Sequence, residues 1–241
     1  MTQAKASPKE IIGILGGMGP AASAEFYRRI VDIAQHEYGA DQDTDFPPMY
    51  LYNLPLSGFD ETGFRHPDEV KKQLVAGVKK LAASGSDFIV IPCNTVHAFI
   101  ADMQHAVEVP IVSIIDSVAD ETAARGLSTV GLLSSESTRR YQLYETALAE
   151  RNVRVVSAND EEQGIANKII HKVMAGTQGP TEVSALRTII ERFANEGAQA
   201  VILGCTELPL AIQQPDIHLP LLSSTDILAH AALTRVYGPK N

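Results

Sequence analysis

Phe88-Ile-Val-Ile-Pro-Cys93-Asn-Thr95 and Ala200-Val-Ile-Leu-Gly-Cys205-Thr-Glu207 read as one phrase written twice. In each, a short apolar run of the kind buried on both faces of a parallel sheet ends at a cysteine and then turns polar. The flanks repeat too. Glu69-Val70 opens a helix that Gly85 closes before the first run; Glu182-Val183 opens one that Gly197 closes before the second. Downstream, Val109-Pro-Ile-Val-Ser-Ile-Ile-Asp116 matches Leu219-Pro-Leu-Leu-Ser-Ser-Thr-Asp226. Upstream, Gly13-Ile-Leu-Gly-Gly17 is echoed by Gly131-Leu-Leu-Ser-Ser135. The matches keep their order, and their offsets drift only between 110 and 118 residues. Such a repeat, with strand and helix alternating, predicts an α/β fold of two similar Rossmann-like domains with parallel sheets. A pseudo-twofold axis relates them. The site is expected in the cleft between them, beyond the carboxyl ends of the strands.

The remaining elements fit this frame. A strand over Ile11–Leu15 enters the turn Gly16-Gly17-Met18-Gly19, and Pro20 suits a first helical position. The helix presents Phe26, Ile30 and Ile33 on one face and ends near Gly39. Asp41–Pro48 reads as a loop and Met49–Leu54 as a second strand. Ser57–Pro67, with two glycines, a proline and several charges, reads as a mobile loop placed to act as a lid. A helix follows over Asp68–Ser84. The repeat divides the chain into a first domain over 1–115 and a second over 116–225.

Composition narrows the function. The 241 residues are 45% apolar and 20% charged, with 29 acids against 20 bases and a net charge of −9. That balance suits a globular core and repels phosphate backbones, so no nucleic-acid partner is expected. No apolar run approaches the roughly 20 residues that span a bilayer, and Met1–Glu10 lacks a secretory pattern. A cytoplasmic location, where thiols stay reduced, follows as the expectation.

The chain has only two cysteines, Cys93 and Cys205, at matching places in the two halves. Taken alone, they suit buried small hydrophobes or a disulfide. At the carboxyl ends of matched strands and before matched helix starts, they suit a facing pair whose thiolate the backbone N–H groups stabilise. One thiolate and one thiol on opposite faces of a carbon are a base and an acid, and together they invert a stereocentre without metal or cofactor. Asn94, Thr95 and Thr206 beside them suit either helix capping or the binding of a carboxylate and its enolate-like intermediate. Glu207 and His97 are candidates for tuning the sulfurs.

Other chemistries fit less well. Cys93, His97 and Cys205 lack a fourth ligand for zinc. Gly17-Met-Gly-Pro-Ala-Ala22 imitates a dinucleotide fingerprint, but no second strand ends in an acid at the required distance. No Gly-Lys-Ser/Thr marks a phosphate loop, and no lysine stands in a context for pyridoxal phosphate. Two lobes around a cleft also describe solute-binding proteins, which would have no use for matched thiols.

Gly13-Ile-Leu-Gly-Gly-Met-Gly-Pro20, Pro92-Cys-Asn-Thr-Val-His97 and Gly204-Cys-Thr-Glu-Leu-Pro-Leu210 resemble the three signature stretches of the aspartate/glutamate racemase family. The resemblance covers nearly the whole chain. It implies a cofactor-independent racemase, usually a homodimer, acting on a small amino acid with Cys93 and Cys205 as acid and base. It carries Asn94, Thr95 and Thr206 over as substrate contacts, with Met18, Gly19, Ser135 and Thr138. It also implies that the last helix, within 226–241, returns to pack on the first domain. Two departures bear on the substrate. Asp60-Glu61 stands where aspartate-specific members are expected to have Asp-Arg, and Met174 stands where a lysine is expected. An acid such as Glu61 near a second substrate carboxylate repels it, unless Arg65 or Lys168 compensates. The expected substrate is therefore a neutral or basic amino acid. Cysteine enzymes of the same fold class are the alternatives: a malonate decarboxylase, a maleate-type cis–trans isomerase or a hydantoin racemase.

Overall fold

The computed structural model describes residues 8, 10–60, 63–214 and 217–239. The first half runs β1 (Ile12–Gly16), α1 (Pro20–Tyr38), β2 (Met49–Asn53), β3 (Phe59–Asp60), β4 (Gly63–Phe64), α2 (Pro67–Ala83), β5 (Phe88–Val90), α3 (Ile100–His105), β6 (Ile111–Val112) and α4 (Ile114–Ala124). The second runs β7 (Thr129–Ser134), α5 (Glu136–Arg140), α6 (Leu143–Ala149), β8 (Arg154–Ser157), α7 (Asp160–Met174), α8 (Pro180–Asn195), β9 (Val201–Gly204), α9 (Leu208–Ala211), β10 (Leu221–Ser223) and α10 (Ser224–Tyr237). Two four-stranded sheets result, ordered β2-β1-β5-β6 and β10-β9-β7-β8, with every pairing in them parallel. Matching β1 to β7, β2 to β8, β5 to β9 and β6 to β10 superposes one order on the other. The repeat in the sequence is thus a repeat of sheet topology.

Side chains alternate across each strand, and the alternation assigns the layers. Leu15, Ile89 and Ile91 face outward onto Val70, Leu74, Val78 and Leu81 of α2. Leu133, Val201 and Leu203 face outward onto Ile169 of α7 and Leu186, Ile189 and Phe193 of α8. The opposite faces, with Ile12, Ile14, Phe88, Val90, Leu132 and Ile202, join one central cluster with Phe26 and Ile30 of α1, Val118 of α4, Tyr144 and Leu148 of α6 and Leu228 and Leu233 of α10. A shared apolar core therefore ties the halves together at the base of the cleft.

Polar details repeat as well. Ser113 and Ser223 cap α4 and α10 by accepting from the backbone N–H of Asp116 and Asp226, at 3.1 and 3.2 Å. Gln104 and Gln214 each staple a loop to the following strand. Their side-chain oxygens accept from Ile111 N–H at 2.8 Å and Leu221 N–H at 2.7 Å. α10 packs on both α1 and α4.

Three expectations change. The segment over 57–67 holds the β3–β4 hairpin, in which Phe59 pairs with Phe64. Phe64 also stacks near Phe99 and Tyr141, with ring centroids 4.9 and 5.4 Å apart. Its glycines and charges suggested a loop; the two phenylalanines supply the packing that orders it. Asp43–Asp45, inside the expected 41–48 loop, makes one tight 3-10 turn. The last helix begins at Ser224, two residues before Asp226, because Ser223 caps it.

Candidate active site

The carboxyl ends of β1, β5, β7 and β9 meet around a cavity of about 710 Å³ that opens to solvent. β1 delivers Met18 and Gly19, β5 delivers Cys93, Asn94 and Thr95, β7 delivers Ser135, and β9 delivers Cys205, Thr206 and Glu207. Leu56, Phe59 and Asp60 from the hairpin region and Ile170 and Met174 from α7 complete the wall. The turn after β1 requires glycine at 17. Its φ is +99°, and a Cβ there would lie 2.4 Å from the Leu54 carbonyl oxygen.

Both cysteines are free thiols. Backbone N–H groups of Thr95 and Val96 point at the Cys93 sulfur, and that of Glu207 at Cys205. This is the arrangement expected of helix starts, yet it does not dominate. Burial, with the Glu207 charge adding to it, pushes the Cys93 thiol up to about 12. Burial and the Glu207 carboxylate also hold the Cys205 thiol well above its ordinary value. Burial thus favours the thiol form of both cysteines. The helices after them are short. Cys93 precedes a 3-10 segment over Thr95–Phe99 and Cys205 precedes the four-residue α9, so little helix dipole opposes desolvation.

Glu207 is buried against both partners. Its Oε2 accepts from the Cys205 thiol at 3.0 Å and from the Thr206 hydroxyl at 3.1 Å. His97 serves differently from Glu207. Its Nδ1–H donates to the Cys93 carbonyl at 2.8 Å and its Nε2 accepts from Ile114 N–H at 3.2 Å. The bond accepted at Nε2 requires the neutral ring, and burial lowers its pKa to about 4. His97 thus positions the Cys93 backbone against α4 and places no charge on the sulfur. The sign of its pH effect follows. An unfolded histidine gains a proton near 6.5 and this one does not until about 4, so stability is full above pH 6.5 and falls as pH drops through that window. The loss is expected to reach about 3 kcal/mol at most. Urea unfolding at pH 7 and pH 4.5, for the protein and for His97→Gln, checks it; equal pH slopes contradict it.

Three hydroxyls form a closed triangle across the cleft. Thr95 Oγ1 lies 3.0 Å from Ser135 Oγ and 2.9 Å from Thr138 Oγ1, and those two lie 3.0 Å apart. Thr95 and Ser135 line the cavity, whereas Thr138 stands one layer behind them. Glu61 lies outside the described residues. Arg65 is 74% exposed and pairs with Asp60 at 2.7 Å at the cavity mouth, and Lys168 projects from the exposed face of α7. The charged side chains among the described lining residues are Asp60 and Glu207, both acids.

The reading of the sequence missed Tyr144. Its only trace there is Gly204, between an apolar strand and a cysteine. A Cβ at Gly204 would lie 2.7 Å from Tyr144 Cε2 and 3.1 Å from Leu132 Cδ1. Gly204→Ala is expected to cost roughly 1–3 kcal/mol, the usual range for overpacking. An unchanged urea midpoint would contradict this close approach. Among the described residues, no group of three or more His, Cys, Asp or Glu side chains is arranged to hold a metal ion. No helix among them is long and apolar enough to cross a membrane.

Known proteins are similar to this chain in sequence and fold. The chain is 29% identical over 224 residues to the broad-specificity amino-acid racemase RacX of Bacillus subtilis, covering 93% of this chain and 97% of that one. A crystal structure of an aspartate racemase homologue from Pyrococcus horikoshii superposes with a TM-score of 0.81 at 32% identity, covering 95% of this chain and 99% of that one. The aspartate racemase of Picrophilus torridus gives a TM-score of 0.82 at 28% identity, with 96% of each chain covered. The family model described as Asp/Glu/hydantoin racemase matches residues 15–232. That match spans most of the chain, and the chain belongs to the Asp/Glu/hydantoin racemase family.

Proposed function

We propose that this protein is a cofactor-independent amino-acid racemase in which Cys93 and Cys205 serve opposite faces of the substrate α-carbon. The observation that carries this reading is that the chain's two thiols occupy matched positions of a repeat and line one cavity. Decarboxylation needs a proton on one face only; inversion needs both.

Both thiols start protonated, so one proton must leave first. Glu207 already accepts the Cys205 S–H, and it takes that proton as the substrate ammonium enters and stabilises the Cys205 thiolate. The Cys205 thiolate then removes the α-proton while the Cys93 thiol gives its proton to the opposite face. Cys93 is left as the thiolate and Cys205 as the thiol, the form that processes the product enantiomer. The substrate carboxylate takes up the developing charge, held by the Thr95, Ser135 and Thr206 hydroxyls, an Asn94 N–H and backbone N–H groups. Met18 and Gly19 form the floor beside Glu207, whose Oε1 would lie 3.5 Å from a Cβ at Gly19.

The charge of the wall supports a neutral or basic side chain. Asp60 and Glu207 face the cavity, and the rest of its outer end is Leu56, Phe59, Ile170 and Met174. A second substrate carboxylate would be desolvated beside acids with no cation among the described lining residues. Racemisation rates across lysine, arginine, homoserine and aspartate test this. Aspartate is expected to be the slowest by at least tenfold, and a clear preference for aspartate overturns the substrate reading. The same proposal divides the chain into 1–115 together with the C-terminal segment 226–241, and 116–225. It takes a cytoplasmic homodimer as the working form.

A further inference from the structure

We infer that Tyr144 is a positioning residue that fixes the orientation of the Asn94 amide and so decides which group Asn94 offers beside Cys93. The inference rests on the racemase reading above. Tyr144 belongs to α6, is fully buried, and touches both thiol-bearing loops. Its hydroxyl donates to Asn94 Oδ1 at 2.5 Å. Asn94 Nδ2 donates to Ser224 Oγ, at the start of α10, at 3.3 Å. The edge of the ring lies against Gly204, the residue before Cys205.

An asparagine amide is nearly the same shape after a half-turn, but its two ends differ in hydrogen bonding. Burial keeps the phenol protonated, and its hydroxyl donates to Oδ1. Ser224 Oγ accepts from Nδ2 on the other side of the amide. One Nδ2 hydrogen is engaged by Ser224, and the other is left to the cavity that Asn94 lines. A substrate carboxylate beside Cys93 therefore meets a donor. Without the phenol hydroxyl nothing opposes the reversed amide, which would present a carbonyl oxygen to the same carboxylate.

The test is a double-mutant cycle between Tyr144→Phe and Asn94→Ala. It is read as kcat/KM for α-proton exchange with L-lysine and L-homoserine, and as protection of the thiols from iodoacetamide by the same amino acids. Tyr144→Phe is expected to lower both readouts at least tenfold, and by less than twofold when Asn94 is already alanine. Ser224→Ala, which leaves the phenol in place, is expected to give a smaller loss with the same dependence on Asn94. It carries the test if Tyr144→Phe does not fold. Should Asn94→Ala be silent in exchange, protection alone completes the cycle. An equal loss in both backgrounds, or a Tyr144→Phe protein within twofold of the parent, overturns the proposal.

A separate signature does not depend on the reaction. The Asn94 side-chain amide resonances, assigned by their absence in Asn94→Ala, are expected to exchange slowly with solvent and to lose that protection in Tyr144→Phe and in Ser224→Ala. Unchanged protection sinks the positioning role. Absence of exchange with every amino acid in the parent protein, alongside this signature, would instead sink the racemase reading and leave the anchoring of Asn94 in place.

Discussion

Alanine at either cysteine is expected to lower racemisation by about 10³-fold or more, the scale of losing a positioned acid or base, while leaving exchange of the α-proton for one enantiomer. The asymmetry separates a two-face mechanism from other uses of a thiol. With Cys93 replaced, Cys205 can still take the α-proton from the face it serves. In deuterium oxide it returns a deuteron to that face, so label enters without inversion. Cys205→Ala gives the mirror result with the other enantiomer. The measurement is proton NMR of L- and D-substrate with each variant, with circular dichroism to show that the fold persists. Exchange of both enantiomers by either variant would contradict the assignment, as would undiminished racemisation.

Glu207→Gln is expected to move reactivity and catalysis in opposite directions. The Glu207 charge is one of the causes that hold both thiols protonated. Removing it lowers both thiol pKa values, and the thiolate fraction below the pKa rises tenfold for each unit of that fall. Alkylation by iodoacetamide at pH 8 should therefore accelerate, and its rise with pH should shift to lower pH than in the parent. Racemisation should fall roughly 10²-fold, because glutamine cannot take the Cys205 proton. Slower alkylation would mean that the carboxylate activates the sulfur instead. Unchanged racemisation would remove Glu207 from the proton path.

The sequence carried the symmetric part of this molecule and lost the rest at identifiable places. The two halves were legible because strand, cysteine, cap and turn recur at nearly constant offset, and each recurrence became a structural equivalence. Asn94, Thr95, Ser135 and Thr206 were legible because they stand next to the repeated phrases. Tyr144 was not, since a buried tyrosine on a short helix has no periodic or motif signature and its role depends on a contact 50 residues away. The burial of the thiols was not legible for a related reason. Burial depends on how the two halves close on each other, whereas a helix start is local. The β3–β4 pair is held by Phe64 reaching Phe99 and Tyr141, long-range packing that glycine and charge content do not disclose.

The central claim is inversion at an α-carbon without an added cofactor. The direct measurement is α-proton exchange in deuterium oxide, followed by NMR with chiral analysis, across L- and D-forms of lysine, arginine, homoserine and aspartate. The account predicts deuterium entry and appearance of the opposite enantiomer from both directions for at least one neutral or basic member. Silence across the panel, with both thiols shown to be reduced and alkylatable, would contradict it.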